Sequence, residues 1–307
     1  ILVSLGSRQA SVRKQLTDLG PHKEIRWGNI CSMDVQGNNL VCPAYSKGWF
    51  YLYDTTKPWN GGFVEPTNPR LLAQYPVEIA RPRAALAHTD GRHVTMAGYA
   101  GYGICGGGLA IHDLETGKNE LIEHEQLVPN QSVITLKALP DGNLVGGSTI
   151  EARGGGHATE KEGQLVLIDW LSRKVVFRIA PVPGAEGVVS LEVGPDGLVY
   201  GVTAPNPAFF VFDPATRRVV HRVSLAAYGE PVRPALLRGP SAMIIGLFAN
   251  AVIQIEPASF RHNKLAIPPV PITAGGAVQG TRLFYAAGSH LWSLDFADVS
   301  DTGAECR

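Results

Sequence analysis

The side chains with chemistry to offer are arginines, tyrosines, a histidine and side-chain amides set in glycine-rich or proline-marked connections. Arg153 and His157 stand in a stretch, 149–162, that also holds Gly154, Gly155 and Gly156. Tyr99 and Tyr102 stand in a second glycine-rich stretch, 98–108. Arg26, Trp27 and Asn29, then Arg81 and Arg83, then Asn130 and Gln131, then Tyr228 and Arg233, occupy connections ahead of apolar runs. Guanidinium forks match carboxylate or sulfate oxygens two at a time. Side-chain amides read hydroxyls, and aromatic faces stack on the apolar side of a pyranose. The set points to a sugar that carries oxyanions. For 149–162 a solvated loop is the alternative reading.

The elements that must position these groups repeat along the chain. An apolar run, a turn around glycine, a second apolar run and a third ending in an acidic residue recur throughout. The clearest copy is Val188 to Val193, Asp196-Gly197, Leu198 to Val202, then Phe209 to Asp213. The turn glycines are Gly37, Gly91, Gly142, Gly197, Gly239 and Gly280. The acidic ends are Asp54, Asp113, Asp169, Asp213, Glu256 and Asp295. Repeats of about 40 to 55 residues made of short strands predict a β-propeller, here of four-stranded antiparallel blades. Asp-Gly between the first two strands is a tight-hairpin signal. Near-continuous hydrophobic third strands, such as Trp49 to Tyr53 and Leu165 to Ile168, fit sheets buried on both faces.

Three-strand units are countable from 29 to 296, and 1–20 reads as a partial N-terminal blade of two strands, which favours seven blades over six. The whole chain, 1–307, is expected to be one propeller domain. Two spacings from turn glycine to acidic end exceed the rest, Gly91 to Asp113 and Gly142 to Asp169. Both insertions join a second strand to a third, so both are expected on one face, beside the connections that carry the arginines. Loops added on one side of a repeat scaffold usually form its binding face.

Other motifs read as bland. Gly101, Gly103 and Gly106 spell a dinucleotide-type motif, but an apolar strand follows at Leu109 where that chemistry needs a helix N-terminus. The glycines are expected to allow close backbone packing. Asn130-Gln131-Ser132 is a glycosylation sequon. His88, His93, His112 and His221 fall in strands or at turns and read as structural. Cys31, Cys42, Cys105 and Cys306 lack metal-ligand spacing. Cys31 and Cys42 could pair if oxidised, and two free thiols are the other reading. A net charge of zero offers no field for nucleic acid, and no apolar stretch is long enough to span a bilayer. The chain begins Ile1-Leu2-Val3 and reads as a trimmed product whose targeting segment is gone.

Gly194-Pro195-Asp196-Gly197-Leu198-Val199-Tyr200-Gly201 resembles the repeat of streptogramin-lyase-like propellers. Trp27-Gly28-Asn29-Ile30, Lys57-Pro58-Trp59-Asn60, Arg81-Pro82 and Asn130-Gln131-Ser132 are similar to segments of propeller polysaccharide lyases of the ulvan and rhamnose–glucuronate type. The resemblance implies an acidic polysaccharide or oligosaccharide as substrate and a secreted or periplasmic location. In such lyases an arginine or a divalent metal offsets the uronate charge, and a tyrosine or histidine removes the C5 proton before β-elimination. Carried onto this chain, that makes Tyr102 or His157 the base, and Arg81, Arg83, Arg153 or Arg233 the neutralising group. The family's pair of histidines within one blade is replaced here by Arg83 and Tyr102. A non-catalytic binding propeller, and a propeller domain of a larger enzyme, are the alternatives.

Overall fold

A computed structural model describes residues 2–4, 9–12, 15–17, 30–60, 67–288 and 290–298, the first three segments as backbone strands only. Arg26, Trp27, Asn29 and Cys306 lie outside the described residues. The chain groups into two compact units, Ile1–Lys161 with Val166–Val176, and Glu162–Leu165 with Phe177–Arg307. Each is built of antiparallel strand pairs, most of them between neighbours in chain order. No helix among the described residues is long and apolar enough to cross a membrane.

In the first unit, Leu2–Ser4, Gln9–Val12 and Gln15–Thr17 form a three-stranded sheet. The two strands expected in 1–20 are thus three. Next come Asp34–Gln36, Asn39–Ala44, Trp49–Asp54 and Arg70–Gln74, then Arg81–Ala87, His93–Tyr99, Leu109–Asp113 and Asn119–Ile122. Ser132–Ala138, Leu144–Thr149, Leu165–Asp169 and Lys174–Ile179 follow. The second unit carries Gly187–Val193, Val199–Ala204, Ala208–Asp213 and Arg218–Ser224, then Pro231–Arg238, Ile244–Phe248, Ala251–Ile255 and His262–Ala266. Its last sheet is Ile272–Gln279, Arg282–Ala287 and His290–Asp295, and a 3-10 turn at Phe296–Asp298 follows.

The fourth strand is the more exposed edge of the sheet that opens the second unit. Gly187–Val193 is buried at every residue, whereas Arg218–Ser224 alternates exposed with half-buried residues. The alternation places one face of a fourth strand in solvent. Sheets meet through apolar clusters. Val41, Phe50 and Leu52 of one sheet pack with Val94, Met96 and Ala110 of the next. In the second unit Tyr200, Phe209 and Val211 pack with Leu236, Ile244 and Ile253.

Polar contacts fix the same neighbours. Ser32 Oγ accepts the Ala85 backbone N–H at 2.9 Å, and Asp34 Oδ2 accepts that of Ala87 at 2.8 Å. Ser190 Oγ accepts both the Ala235 and Leu236 N–H groups, at 3.1 and 2.9 Å. The acidic strand ends are turn caps. Asp54 accepts the Thr56 N–H, Asp113 that of Glu115, Asp169 that of Ser172, Asp213 that of Ala215 and Asp295 that of Ala297. Glu256 makes the equivalent contact to the Ser259 hydroxyl at 2.6 Å.

Five of the six turn glycines have positive φ: Gly37, Gly91, Gly142, Gly197 and Gly280. Gly239 does not. Its φ is −97°, and the chain reverses instead through Ser241 and Ala242, at φ 53° and 65°.

Candidate functional site

Arg81 and Arg83 open the first strand of their sheet, Arg81–Ala87. The register shifts between Pro82 and Ala84, a bulge that brings the backbone of Arg81 and Pro82 hard against Gly98. A side chain at Gly98 would collide with the Arg81 carbonyl, and one at Gly107 with the Gly98 carbonyl. The first glycine-rich stretch therefore serves close backbone packing, as the sequence suggests, and the strand Leu109–Asp113 follows it.

The two insertions lie together. Gly103 N–H donates to the Gly154 carbonyl at 3.0 Å, and a Cβ on Gly156 would lie 3.1 Å from the Ile104 carbonyl oxygen. Both link a second strand to a third, His93–Tyr99 to Leu109–Asp113 and Leu144–Thr149 to Leu165–Asp169. Gly107 also bridges in parallel to Ser132, whose hydroxyl donates to the Gly106 carbonyl at 2.8 Å.

Tyr99 is the centre of the arrangement. It ends its strand 1% exposed, and its hydroxyl donates to Glu151 Oε2 at 2.5 Å. Glu151 Oε1 pairs with Arg153 Nη2 at 2.5 Å. The Arg83 and Arg153 guanidinium carbons lie 5.6 and 5.5 Å from the centroid of the Tyr99 ring. Partial burial works against the charge on Arg153, but Glu151 and Tyr99 outweigh it and raise its pKa above the ordinary arginine value. The glutamate and arginine side chains remain 38% and 42% exposed, so a solute could reach them.

Arg81 plays a different part. It is 8% exposed, and its Nη1 donates to the Ala100 carbonyl at 3.0 Å. Tyr102, 78% exposed, covers it with its ring centroid 4.6 Å from the guanidinium carbon, and Tyr45 lies on it at 5.7 Å. Tyr45 and Glu151 belong to this cluster although sequence reasoning gave neither a role. Tyr45 sits between the second and third strands of its own sheet, Asn39–Ala44 and Trp49–Asp54. Aligning that turn with the two insertions would have found it.

The remaining candidates divide. Asn130 is exposed and donates to Glu160 Oε1 at 3.1 Å. Gln131 is buried and accepts from the Ser148 hydroxyl at 2.5 Å, tying the first two strands of its sheet. His157 is exposed in the second insertion. Tyr228 and Arg233 belong to the second unit. The Tyr228 hydroxyl pairs with His262 Nδ1 at 3.0 Å, and Arg233 is exposed on the strand Pro231–Arg238. No disulfide joins Cys31 to Cys42. Burial pushes the Cys42 thiol up to about 12, and Cys105 donates to the Asn130 carbonyl at 3.1 Å. Among the described residues no group of three His, Cys, Asp or Glu side chains could hold a metal ion.

No family model and no curated protein matches the chain. Solved structures do. The β-propeller domain of Myceliophteria thermophila Cps50 (Swd1) aligns over 89% of this chain and 85% of its own, at 12% identity and a TM-score of 0.65. The extracellular domain of BT3049 from B. thetaiotaomicron, described as a hybrid two component system, aligns over 88% of this chain at 12% identity and a TM-score of 0.62. The chain covers 34% of that protein's length. At such identities the likeness speaks to fold alone, and together with the antiparallel four-stranded sheets it establishes a β-propeller.

Proposed function

We propose that this propeller recognises an acidic polysaccharide or oligosaccharide through Arg83 and Arg153. The observation that carries the reading is the placement of both guanidinium groups against Tyr99, with Arg153 open to solvent. Two forks beside an aromatic ring suit a uronate carboxylate better than a neutral sugar. Tyr102 is an exposed ring on Arg81, which shares a strand with Arg83, and offers a stacking face for a pyranose. A ligand of this class is met outside the cytoplasm, so secretion or periplasmic residence goes with the reading.

A lyase reaction is the second reading, and the exposed Tyr102 favours it as a base held in place on the buried Arg81, with Arg83 or Arg153 left to meet the uronate. There a guanidinium would offset the uronate charge and an ionised tyrosine oxygen would take the C5 proton. The C4–O bond then breaks with its electron pair on the departing sugar oxygen, which takes a proton back from the tyrosine, leaving an unsaturated uronate and a shortened chain. Tyr99 is excluded as that base because it is buried and its proton is already shared with Glu151.

Calorimetric titration against oligosaccharides of galacturonate, glucuronate and mannuronate, with neutral oligosaccharides alongside, tests the binding reading. Binding confined to the acidic set, and lost in an Arg83→Ala, Arg153→Ala double variant, is expected. Equal binding of neutral sugars, or none at all, would overturn it. The ultraviolet absorbance of unsaturated uronate, followed in the same mixtures, separates the two readings. Absorbance that grows in the wild type and stops in Tyr102→Phe would favour the lyase.

A further inference from the structure

Glu151 already satisfies the groups that would hold a ligand carboxylate. One oxygen takes the Tyr99 hydroxyl at 2.5 Å and the other takes Arg153 Nη2 at 2.5 Å. A tyrosine hydroxyl and a guanidinium on two oxygens of one carboxyl group is the arrangement a uronate would adopt on the same partners. The Tyr99 ring is buried, so an acceptor from solution reaches its hydroxyl only by taking the position of Glu151 Oε2.

Resting on the acidic-glycan reading, we infer that Glu151 is an internal competitor for the ligand carboxylate, and that binding proceeds by exchange of one carboxylate for the other. Glu151 stands just beyond the strand Leu144–Thr149, where its backbone N–H donates to the Thr149 hydroxyl at 3.1 Å. Its main chain is anchored while its side chain is 38% exposed. The side chain can therefore swing into water without unravelling a sheet. The contacts it gives up are a partly exposed ion pair and one hydrogen bond, which are individually weak.

The exchange makes the site selective. A neutral sugar offers no replacement for the displaced charge, so Arg153 would lose its carboxylate and keep only its contact with Tyr99. A carboxylate-bearing ring restores both bonds. Arg83, which donates to the Pro82 carbonyl at 3.2 Å while lying on the same ring, is the second guanidinium available to the incoming group.

The test is titration of the wild type, Glu151→Gln and Glu151→Asp with oligogalacturonate, each variant first checked by thermal melting. The aspartate keeps the charge but is one methylene too short to reach both partners. Under exchange, both variants bind more tightly, by about 5- to 30-fold, the factor equivalent to the contacts Glu151 gives up. Tighter binding by Glu151→Gln with Glu151→Asp unchanged would mean a general charge effect and overturn the inference. Weaker binding by either would make Glu151 part of the ligand's own contacts and also overturn it. Wild-type binding unaltered by both changes would remove the competitor and leave the acidic-glycan reading standing. Failure of every variant to bind would remove both.

Discussion

Gly154 rests directly on the guanidinium of Arg81: a side chain there would begin 2.8 Å from Nη2 and 3.0 Å from Nη1. Arg81 also donates to Ala100 of the other insertion. One buried cation thus joins both insertions, beside the Gly103–Gly154 hydrogen bond, and helps to set where Glu151 and Arg153 stand relative to Tyr99. Arg81 is better placed to organise the site than to meet a ligand.

Gly154→Ala tests that joint. Gly154 has φ +69°, a left-handed conformation that costs an L-residue about 1–2 kcal/mol. The added methyl must also push Arg81 aside. A loss of about 1–3 kcal/mol in thermal or denaturant unfolding is expected. Tryptic cleavage at Arg153 should become faster at the same time. Gly155→Ala, at φ +84° with nothing within 4 Å of a Cβ, carries the conformational cost without the collision. It should therefore leave the Ala100 side of the joint intact and lose less.

The turn caps predict an acid limit. The Arg92 guanidinium holds Asp113 through Nε at 2.8 Å and Nη2 at 2.5 Å, and lowers its carboxyl far below the ordinary range. Lys57 and Thr56 lower Asp54 to about 2. Asp169, Asp213 and Asp295 are lowered by the hydroxyl or guanidinium each one binds, Ser172, Thr216 and Arg282 respectively. A folded-state pKa below the unfolded value of about 3.9 gives stability that is fully present above that pH. It is lost as pH falls through the folded value. In melting curves the aspartates' share of the stability should hold from neutrality to about pH 5 and then drop steadily. An earlier decline begins at about pH 6.5, because burial lowers the folded-state pKa of His112 and His221. Asp113→Asn should melt lower at neutral pH and show a shallower acid slope.

The repeat was legible because it is written in residues with one physical job each. Turn glycines supply positive φ, and acidic ends cap the turn after the third strand. At Gly239 the same spelling hides a different turn, since Ser241 and Ala242 take the left-handed conformations and neither type advertises them. The two insertions were legible as extra length at equivalent places. The division of labour among the arginines was not. Arg81 and Arg83 are two residues apart on one strand, which would normally give them one face. The bulge at Pro82 separates them, leaving Arg81 buried and Arg83 half-buried on Tyr99. Gln131 reads as a ligand-binding amide but is consumed by Ser148. Bulges and local partners depend on the three-dimensional neighbours of a residue, which repeat spacing does not encode.

Ser190 tests how sheets in the second unit are held to each other. Its hydroxyl is the acceptor for two buried backbone N–H groups, Ala235 and Leu236, and the residue is 2% exposed. Ser190→Ala leaves both donors without that acceptor. Each unsatisfied buried donor costs about 1–3 kcal/mol, so a total loss of about 2–6 kcal/mol is expected in denaturant unfolding. Ser259→Ala removes an exposed hydroxyl at a turn and should cost well under half as much. Equal losses would show that the Ser190 contacts are replaced by water.

Arg153 provides the sharpest functional prediction because it is both charged and partly exposed. If a ligand carboxylate takes two parallel hydrogen bonds from the guanidinium, Arg153→Lys keeps the charge and loses the fork. Arg153→Ala should weaken oligogalacturonate binding by about 1.5–3 kcal/mol, the range for hydrogen bonds to charged groups. Arg153→Lys should fall between it and the wild type. Ionic strength separates the two contributions. Long-range attraction is screened over a Debye length of about 8–10 Å at moderate salt, whereas a formed fork is screened much less. Lysine binding should therefore decay more steeply with added salt than arginine binding. Parallel salt curves for the two would place Arg153 at the periphery of the interaction and shift the recognition to Arg83.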